Sequence, residues 1–421
     1  MQINRYSLIK GRYIFVVGTF LLTLLLYVDR ICISVAKDPI AKSLDLSKEQ
    51  MGWVLSAFAL GYALFQTPGG MMADKWGARK VLTAIIIVWS LFTGFTAKAW
   101  NYTSMLVIRF LFGAGEAGAF PAINRAVVSW IPLKERGIVT GINFSGSRLG
   151  AAFALPLLSI LITKWGWQNT FYVLGAVGVF FALLWYWMFK DKPEEHSLLS
   201  KKEKEFIITN RQPITAVGEK LSFKKIIVQR NMWLAMLQYF CSNFTFFFAL
   251  TWLYPHIKEK FQLEAVAAGW YASLPLIAGA IGNWFSGWWM DKIYSKGNYK
   301  KSRWLPAATG FALSALGLII SSFMNDVNAA VLFLSLAIFG ADMTLPPSWA
   351  FCADIGKQQA GTVSGNMNMA GNLGAFITSL AFPYLLSWAG SPSIFFYLAA
   401  LFNVLAVFIW LQMNPLKKIS N

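Results

Sequence analysis

The chain has 421 residues, 57% of them hydrophobic and only 13% charged, with a mean hydropathy of +0.52. A soluble chain carries about 25% charged residues, so this composition excludes two or three soluble domains and predicts a polytopic α-helical membrane protein. The net charge of +18 would fit a nucleic-acid binder, but the placement of the basic residues along the chain argues against one.

Span 1 is expected at 12–35 and contains Tyr27, Asp29, Arg30 and Ser34 inside an apolar run. Tyr27, Arg30 and Ser34 recur at three- and four-residue spacing and share one helix face. Asp29 points about 100° away, so adjacent Asp29 and Arg30 cannot neutralise each other face to face. Span 2 (50–73) runs into GGMMADKWGARK, with Gly70, Asp74, Gly77, Arg79 and Lys80. Span 3 is expected at 80–99. Span 4 (104–131) presents Arg109, Gly113, Glu116 and Phe120 as a stripe, with Glu116 roughly 18 Å below the outer end. Span 5 (138–163) holds Arg148 about 15 Å deep, and span 6 covers 167–190.

The polar link 191–229 follows, its KKEKEF portion read as a short amphipathic helix on the membrane surface. Span 7 (230–257) carries Gln238 and Asn243, and spans 8 and 9 lie at 264–290 and 303–324. Span 10 (328–352) holds Asp342, with Asp354 just beyond it. Span 11 (360–387) holds Asn366, Asn368 and Asn372, and span 12 covers 391–413. Twelve spans put both ends of the chain on one side. That side carries 26 Lys and Arg, the other side seven, and four lie within spans. By the positive-inside rule the termini and the link are cytoplasmic. The basic balance is topology, with the lipid bilayer as surroundings and no nucleic acid as partner.

The link divides the spans six and six, and the halves resemble each other. Gly70-Met-Met-Ala-Asp74-Lys75 recurs as Gly287-Trp-Trp-Met-Asp291-Lys292 at an offset of 217, and 133–153 aligns with 356–376, pairing Gly137 with Gly361 and Arg148 with Asn372. The expected organisation is 1–190 as one six-helix bundle, 191–229 as cytoplasmic linker and 230–421 as the second bundle. Such duplication marks a transporter fold with its site near the midplane. A purely structural duplication is the other reading.

GGMMADKWGARK also fits the loop pattern G-x-x-x-D-[RK]-x-G-x-[RK]-[RK] of the major facilitator superfamily. Its glycines permit a tight turn, and Asp74 can sit at a helix N-terminus. Gly70, Asp74, Gly77, Arg79 and Lys80 are therefore expected to stabilise one gated state. With YVDRICISVA (27–36), 46–80, RFLFGAGEAGAFPAINRAVVSWIPLKERG (109–137), WGWQNTFYVLG (165–175) and NMAGNLGAF (368–376), the chain resembles the anion:cation symporter branch of that superfamily. This group holds bacterial hexuronate, galactonate and glucarate transporters and, more distantly, sialin and the vesicular glutamate transporters. The resemblance implies a monomeric, bacterial inner-membrane protein that takes up a carboxylate, usually a sugar acid, with protons. It gives proton-site roles to Asp29 and Glu116, a carboxylate-anchoring role to Arg30, and cavity positions to Tyr27 and Tyr62.

The residues support that expectation on their own terms. A charge at membrane depth costs at least about 2.5–3.5 kcal/mol. Burial favours a neutral carboxyl and a nearby arginine favours a charged one. Substrate bound at Arg30 would thus strip Glu116 of its counter-ion and favour protonation, coupling anion entry to proton entry. The bland reading is an ion-pair cluster pinning spans 1 and 4 together. Arg148 departs from the family's usual small or amide residue. It reads either as a second anion-binding cation, favouring dicarboxylates or larger acids, or as a structural balance for Glu116 or Asp29. Gln238, Asn368 and Asn372 are candidate partners for substrate hydroxyls, with interhelical bonding as the alternative. Asp342 is a further candidate proton site. Arg109 and Arg125, nearer the ends of span 4, read as structural or gating residues.

No ATP-binding glycine loop is present, so no nucleotide cofactor is expected; the coupling ion that the resemblance implies is H+. Cys32, Cys241 and Cys352 have no metal-ligand spacing, and no clustered His or Cys site suggests an enzyme. An anion antiporter or effluxer is the alternative on the same scaffold. A membrane sensor would need an effector surface that the link does not offer.

Overall fold

Capping side chains set where several helices begin. Ser47 with Gln50, and Asn101 with Ser104, form reciprocal capping boxes, while Asp326 accepts from the Ala329 amide. Each pairs an amide left open at a helix N-terminus. Glycines at positive φ separate consecutive elements: Gly77 (φ 87°), Gly166 (φ 77°) and Gly390 (φ 65°).

The computed structural model describes residues 11–212 and 223–417; both chain ends and the middle of the 191–229 link lie outside the described residues. Every expected span is helical. They are α1 (Arg12–Val35), α2 (Lys48–Trp76), α3 (Ala78–Thr96) and α4 (Tyr102–Glu116 and Ala119–Trp130). The stretch Arg136–Met188 is divided at Gly166 into α5 and α6. Then come α7 (Arg230–Thr251 and Leu253–Lys260), α8 (Ala265–Ser295), α9 (Tyr299–Ser322), α10 (Val327–Met343 and Leu345–Gly356), α11 (Ala360–Ala389) and α12 (Ser393–Gln412). No strand occurs among the described residues. The KKEKEF segment forms the helix Lys201–Asn210, tied to the start of α1 by Glu203 on Arg12, which also pairs with Glu135. The side where α1 starts and α12 ends is called the link side below.

Large apolar residues such as Trp187, Phe180, Leu183 and Phe408 lie exposed on the outer surface, the reverse of a soluble protein and suited to lipid. Among the described residues, eight stretches are apolar and long enough to cross a membrane by length and composition alone. Between the two six-helix bundles, α2 packs on α11 and α5 on α8.

The apolar core shows how the bundles meet. One cluster at the link side joins residues of both, from Phe15 and Trp130 to Trp349 and Trp410. On the far side each bundle has its own cluster, around Val28, Met51 and Phe171 in the first and around Phe244, Leu334 and Phe395 in the second. The bundles are fused at the link side and separately cored at the far side.

Candidate functional site

A cavity lies at mid-depth between the bundles. The first bundle contributes Tyr27, Arg30, Tyr62, Phe144 and Arg148, and the second Tyr239, Asn243, Trp349, Asn368 and Asn372. Two arginines on the wall of one membrane-embedded cavity dominate its chemistry.

Arg30 projects from α1 with Tyr27 on the same face, as their spacing requires. Its guanidinium lies 4.2 Å from the Tyr62 ring centroid, 4.8 Å from Tyr27 and 5.2 Å from Phe58. This aromatic box favours a cation. Through Nε and Nη2 the guanidinium binds one oxygen, Oε1, of Glu116. Glu116 is fully buried, and its Oε2 has no hydrogen-bond partner among the described residues. Breaking a buried pair by removing one member costs about 3–5 kcal/mol, so whatever draws Arg30 away must also neutralise Glu116.

Asp29 does turn to another sector. It is buried outside the cavity lining and accepts from Trp89 Nε1 at 3.0 Å, while its Oδ1 is unpartnered among the described residues. Arg109 lies toward the far-side end of α4. It is buried against Phe112 (4.4 Å) and Phe58, with Nε and Nη1 unpartnered among the described residues. It lies two helical turns above Glu116 on α4, inside the first bundle. Arg125, by contrast, sits at the link side, 3.7 Å from Asp74.

Arg148 balances neither Glu116 nor Asp29. Its Nε and Nη2 donate to the two oxygens of Asp342 at 2.7 and 2.6 Å, a bidentate pair between α5 and α10 and therefore between bundles. The Phe246 ring stacks on the guanidinium at 3.5 Å, and both ionic partners are buried. The separation of 194 residues hid this pairing from any local pattern.

Among the polar candidates, Asn368 and Asn372 line the cavity on one face of α11. Asn368 donates to Gln66 Oε1 at 2.8 Å, and Asn372 to the Asn368 carbonyl at 2.8 Å. Gln238 does not belong with them. It is fully buried away from the cavity, its Oε1 accepting from Ser348 and Trp410 and its Nε2 donating to the Ala235 carbonyl. Its polarity is consumed in holding α7, α10 and α12 together, so the expectation that it contacts substrate is corrected. Asn243, Tyr239 and Trp349 line the cavity instead; Trp349 donates to the Tyr239 hydroxyl at 2.9 Å.

The glycine-rich loop works across the bundles. Asp74 accepts from the Gly361 and Thr362 amides at 3.0 and 2.6 Å and from the Thr362 hydroxyl at 2.6 Å. A carboxylate thus caps the N-terminus of α11 in the other bundle. The repeat copy does the reciprocal: Asp291 accepts from the Gly137 and Ile138 amides at 2.9 and 2.8 Å, capping α5. Gly70 abuts the Gly361 carbonyl and Gly287 the Gly137 carbonyl so closely that a Cβ on either would overlap it. Gly77 makes the turn at positive φ. Arg79 stays within its own bundle, donating to the Tyr186 carbonyl and, through its amide, to Asp191. Lys80 is exposed. Of the five expected gating residues, Gly70 and Asp74 are the ones that reach across. Asp354 forms a third link-side tie, between Arg136 of α5 and Arg303 of α9.

Residues 19–379 match the family model described as Major Facilitator Superfamily. The chain is 33% identical to the "Probable sulfoacetate transporter SauU" of Cupriavidus necator, covering 98% of this chain and 96% of that protein. It is also 33% identical to the "Probable galactarate/D-glucarate transporter GarP" of Escherichia coli, over 90% of this chain and 89% of that one. The solved proton:xylose symporter XylE, bound to 6-bromo-6-deoxy-D-glucose, superposes with a TM-score of 0.76 over 97% of both chains at 14% identity. That likeness shows the fold.

Proposed function

The chain belongs to the Major Facilitator Superfamily, and we propose that it imports a small organic anion, a sugar acid or related carboxylate, together with protons by alternating access. Its units are the bundles 1–190 and 230–421 joined by the 191–229 linker, in a monomer of a bacterial inner membrane with both termini cytoplasmic. The relatives named for sulfoacetate and for galactarate or D-glucarate support an anionic cargo.

The observation that carries the reading is the Arg30–Glu116 pair. A cation on the cavity wall is held by a fully buried carboxylate with one oxygen unpartnered. An incoming carboxylate competes with Glu116 for Arg30. Once displaced, Glu116 lies unpaired in a medium where an isolated charge is prohibitively costly, and it takes a proton instead. Substrate and proton then move together, because neither leaves a bare charge behind. Tyr27, Tyr62, Asn368 and Asn372 orient the substrate's hydroxyls, and Asp29 serves as a second proton site.

The test is uptake of candidate sugar acids into proteoliposomes under an imposed inward proton gradient. Wild-type protein accumulates its substrate against a concentration gradient, and Glu116→Gln retains exchange but loses accumulation. Full pH-driven accumulation by Glu116→Gln would sink the coupling role. Uptake driven by internal anion alone, with no response to the proton gradient, would identify an antiporter.

A further inference from the structure

We propose that Arg148 and Asp342 form a second exchangeable anion site, opposite Arg30 and Glu116, so that the cavity is built for a small organic anion with two acidic groups and takes up an additional proton with it. This rests on the transport reading above. Arg30 and Arg148 line the same cavity, and each is parked on an internal carboxylate rather than left free. Tyr27 lines the same cavity, and Arg30 stacks on its ring at 4.8 Å.

The two carboxylates are structural counterparts. Glu116 ends the first piece of α4, and Asp342 is the penultimate residue of the first piece of α10. The helix of each is interrupted immediately afterwards, at 117–118 and at Thr344, at matching depth from the far side. Their cations, however, come from non-equivalent places. The repeat offset of 217 carries Asp29 and Arg30 onto Phe246 and Phe247, so α7 has no arginine at the equivalent position. Asp342 instead draws Arg148 from α5 of the other bundle, and Phe246 supplies the ring beneath it. On the α8 side, Gly279 leaves room for Asp342; a Cβ there would overlap Oδ2. Arg148 is the one ion-pair partner of Asp342 among the described residues, so exchange at Arg148 leaves Asp342 without a counter-charge.

The charge balance follows. A dianion entering the cavity takes both guanidiniums, one acidic group on each. Glu116 and Asp342 each take up one proton from the bulk solution, delivered as hydronium that leaves as water; one O–H bond forms on each carboxyl, and no bond of the substrate changes. The loaded cavity stays neutral. A monoanion needs only Arg30, leaves the Arg148–Asp342 pair intact and carries one proton fewer.

The experiment compares matched probes on purified full-length protein: galactarate against galactonate, which differ in one terminal group, and sulfoacetate against acetate. Calorimetry in buffers of different ionisation enthalpy gives affinity and protons taken up. Wild type is expected to bind the better dianion at least tenfold more tightly than its monoanionic match, with one more proton per molecule. Because Arg148→Gln alone strands Asp342, the paired variant Arg148→Gln/Asp342→Asn is used with it, and its melting temperature reports folding. In the paired variant the preference should collapse to within threefold of unity and the proton difference should vanish. A folded paired variant that keeps the wild-type preference overturns the proposal, as does a wild type that shows none. Those outcomes leave the Arg30–Glu116 reading standing, whereas wild-type binding retained in Arg30→Gln, or no binding of any probe, removes both.

Discussion

Asp74→Ala is the sharpest perturbation of the gate, because its effect can be worked from the contacts it breaks. The wild-type carboxylate accepts three hydrogen bonds from the first turn of α11, and Arg125 stands 3.7 Å away. Hydrogen bonds to a charged group are worth about 1.5–3 kcal/mol each, but water replaces part of that once the link side opens. The partly exposed Arg125 contact adds little. A net cost of about 2–4 kcal/mol to the link-side-closed state is reasonable, and at 1.4 kcal/mol per decade it shifts the closed-to-open ratio by about 30- to 700-fold. Thr67 sits inside the α2–α11 seam, bonded to Asn366, and the three native cysteines are buried. The alkylation rate of Thr67→Cys should therefore rise at least tenfold when Asp74→Ala is added. Asp291→Ala, which removes two accepted bonds from α5, should raise it less. An unchanged rate in both would refute the assignment of these carboxylates as bundle-to-bundle caps.

Gly70→Ala places a methyl against the Gly361 carbonyl; Thr67→Cys labelling should increase and uptake should fall at least tenfold, while equal labelling would show that the seam relaxes freely. Gln238→Ala should cost about 1–3 kcal/mol by orphaning the groups that bind it, seen as a lower melting temperature of the detergent-solubilised protein. It should leave the ranking of substrates unchanged, and a changed ranking would return Gln238 to the cavity.

Much of the fold was legible because a membrane span announces itself by length and polarity. The start of α1 and the end of α2 need only an apolar run and a glycine loop. The cross-bundle caps were half legible: Asp74 was expected at a helix N-terminus, but which helix depended on packing. Local sequence could not tell the role of a polar residue inside a span. Gln238 and Asn368 look alike along the chain, yet one is enclosed by Ser348 and Trp410 and the other lines the cavity. The surroundings of Arg109 were hidden for the same reason, since distance along α4 does not report what packs around a side chain. The partner of Arg148 lay in the other bundle, beyond the reach of helical periodicity.

The two bundles have diverged unevenly, and the pattern has a physical cause. At the link side the elements are kept in duplicate: Asp74 and Asp291 each cap the opposite bundle, and Gly70 with Gly361 mirrors Gly287 with Gly137. A seam made of two bundles meeting face to face must be closed on both flanks, and each flank poses the same steric and capping problem. Around the cavity the equivalence is broken. Asp29 and Arg30 face Phe246 and Phe247 across the repeat, and Arg148 faces Asn372. A small substrate presents different groups to the two walls, so a symmetric lining would hold it in two competing poses. Placing both arginines in the first bundle, with hydrogen-bonding amides and aromatics in the second, fixes one pose.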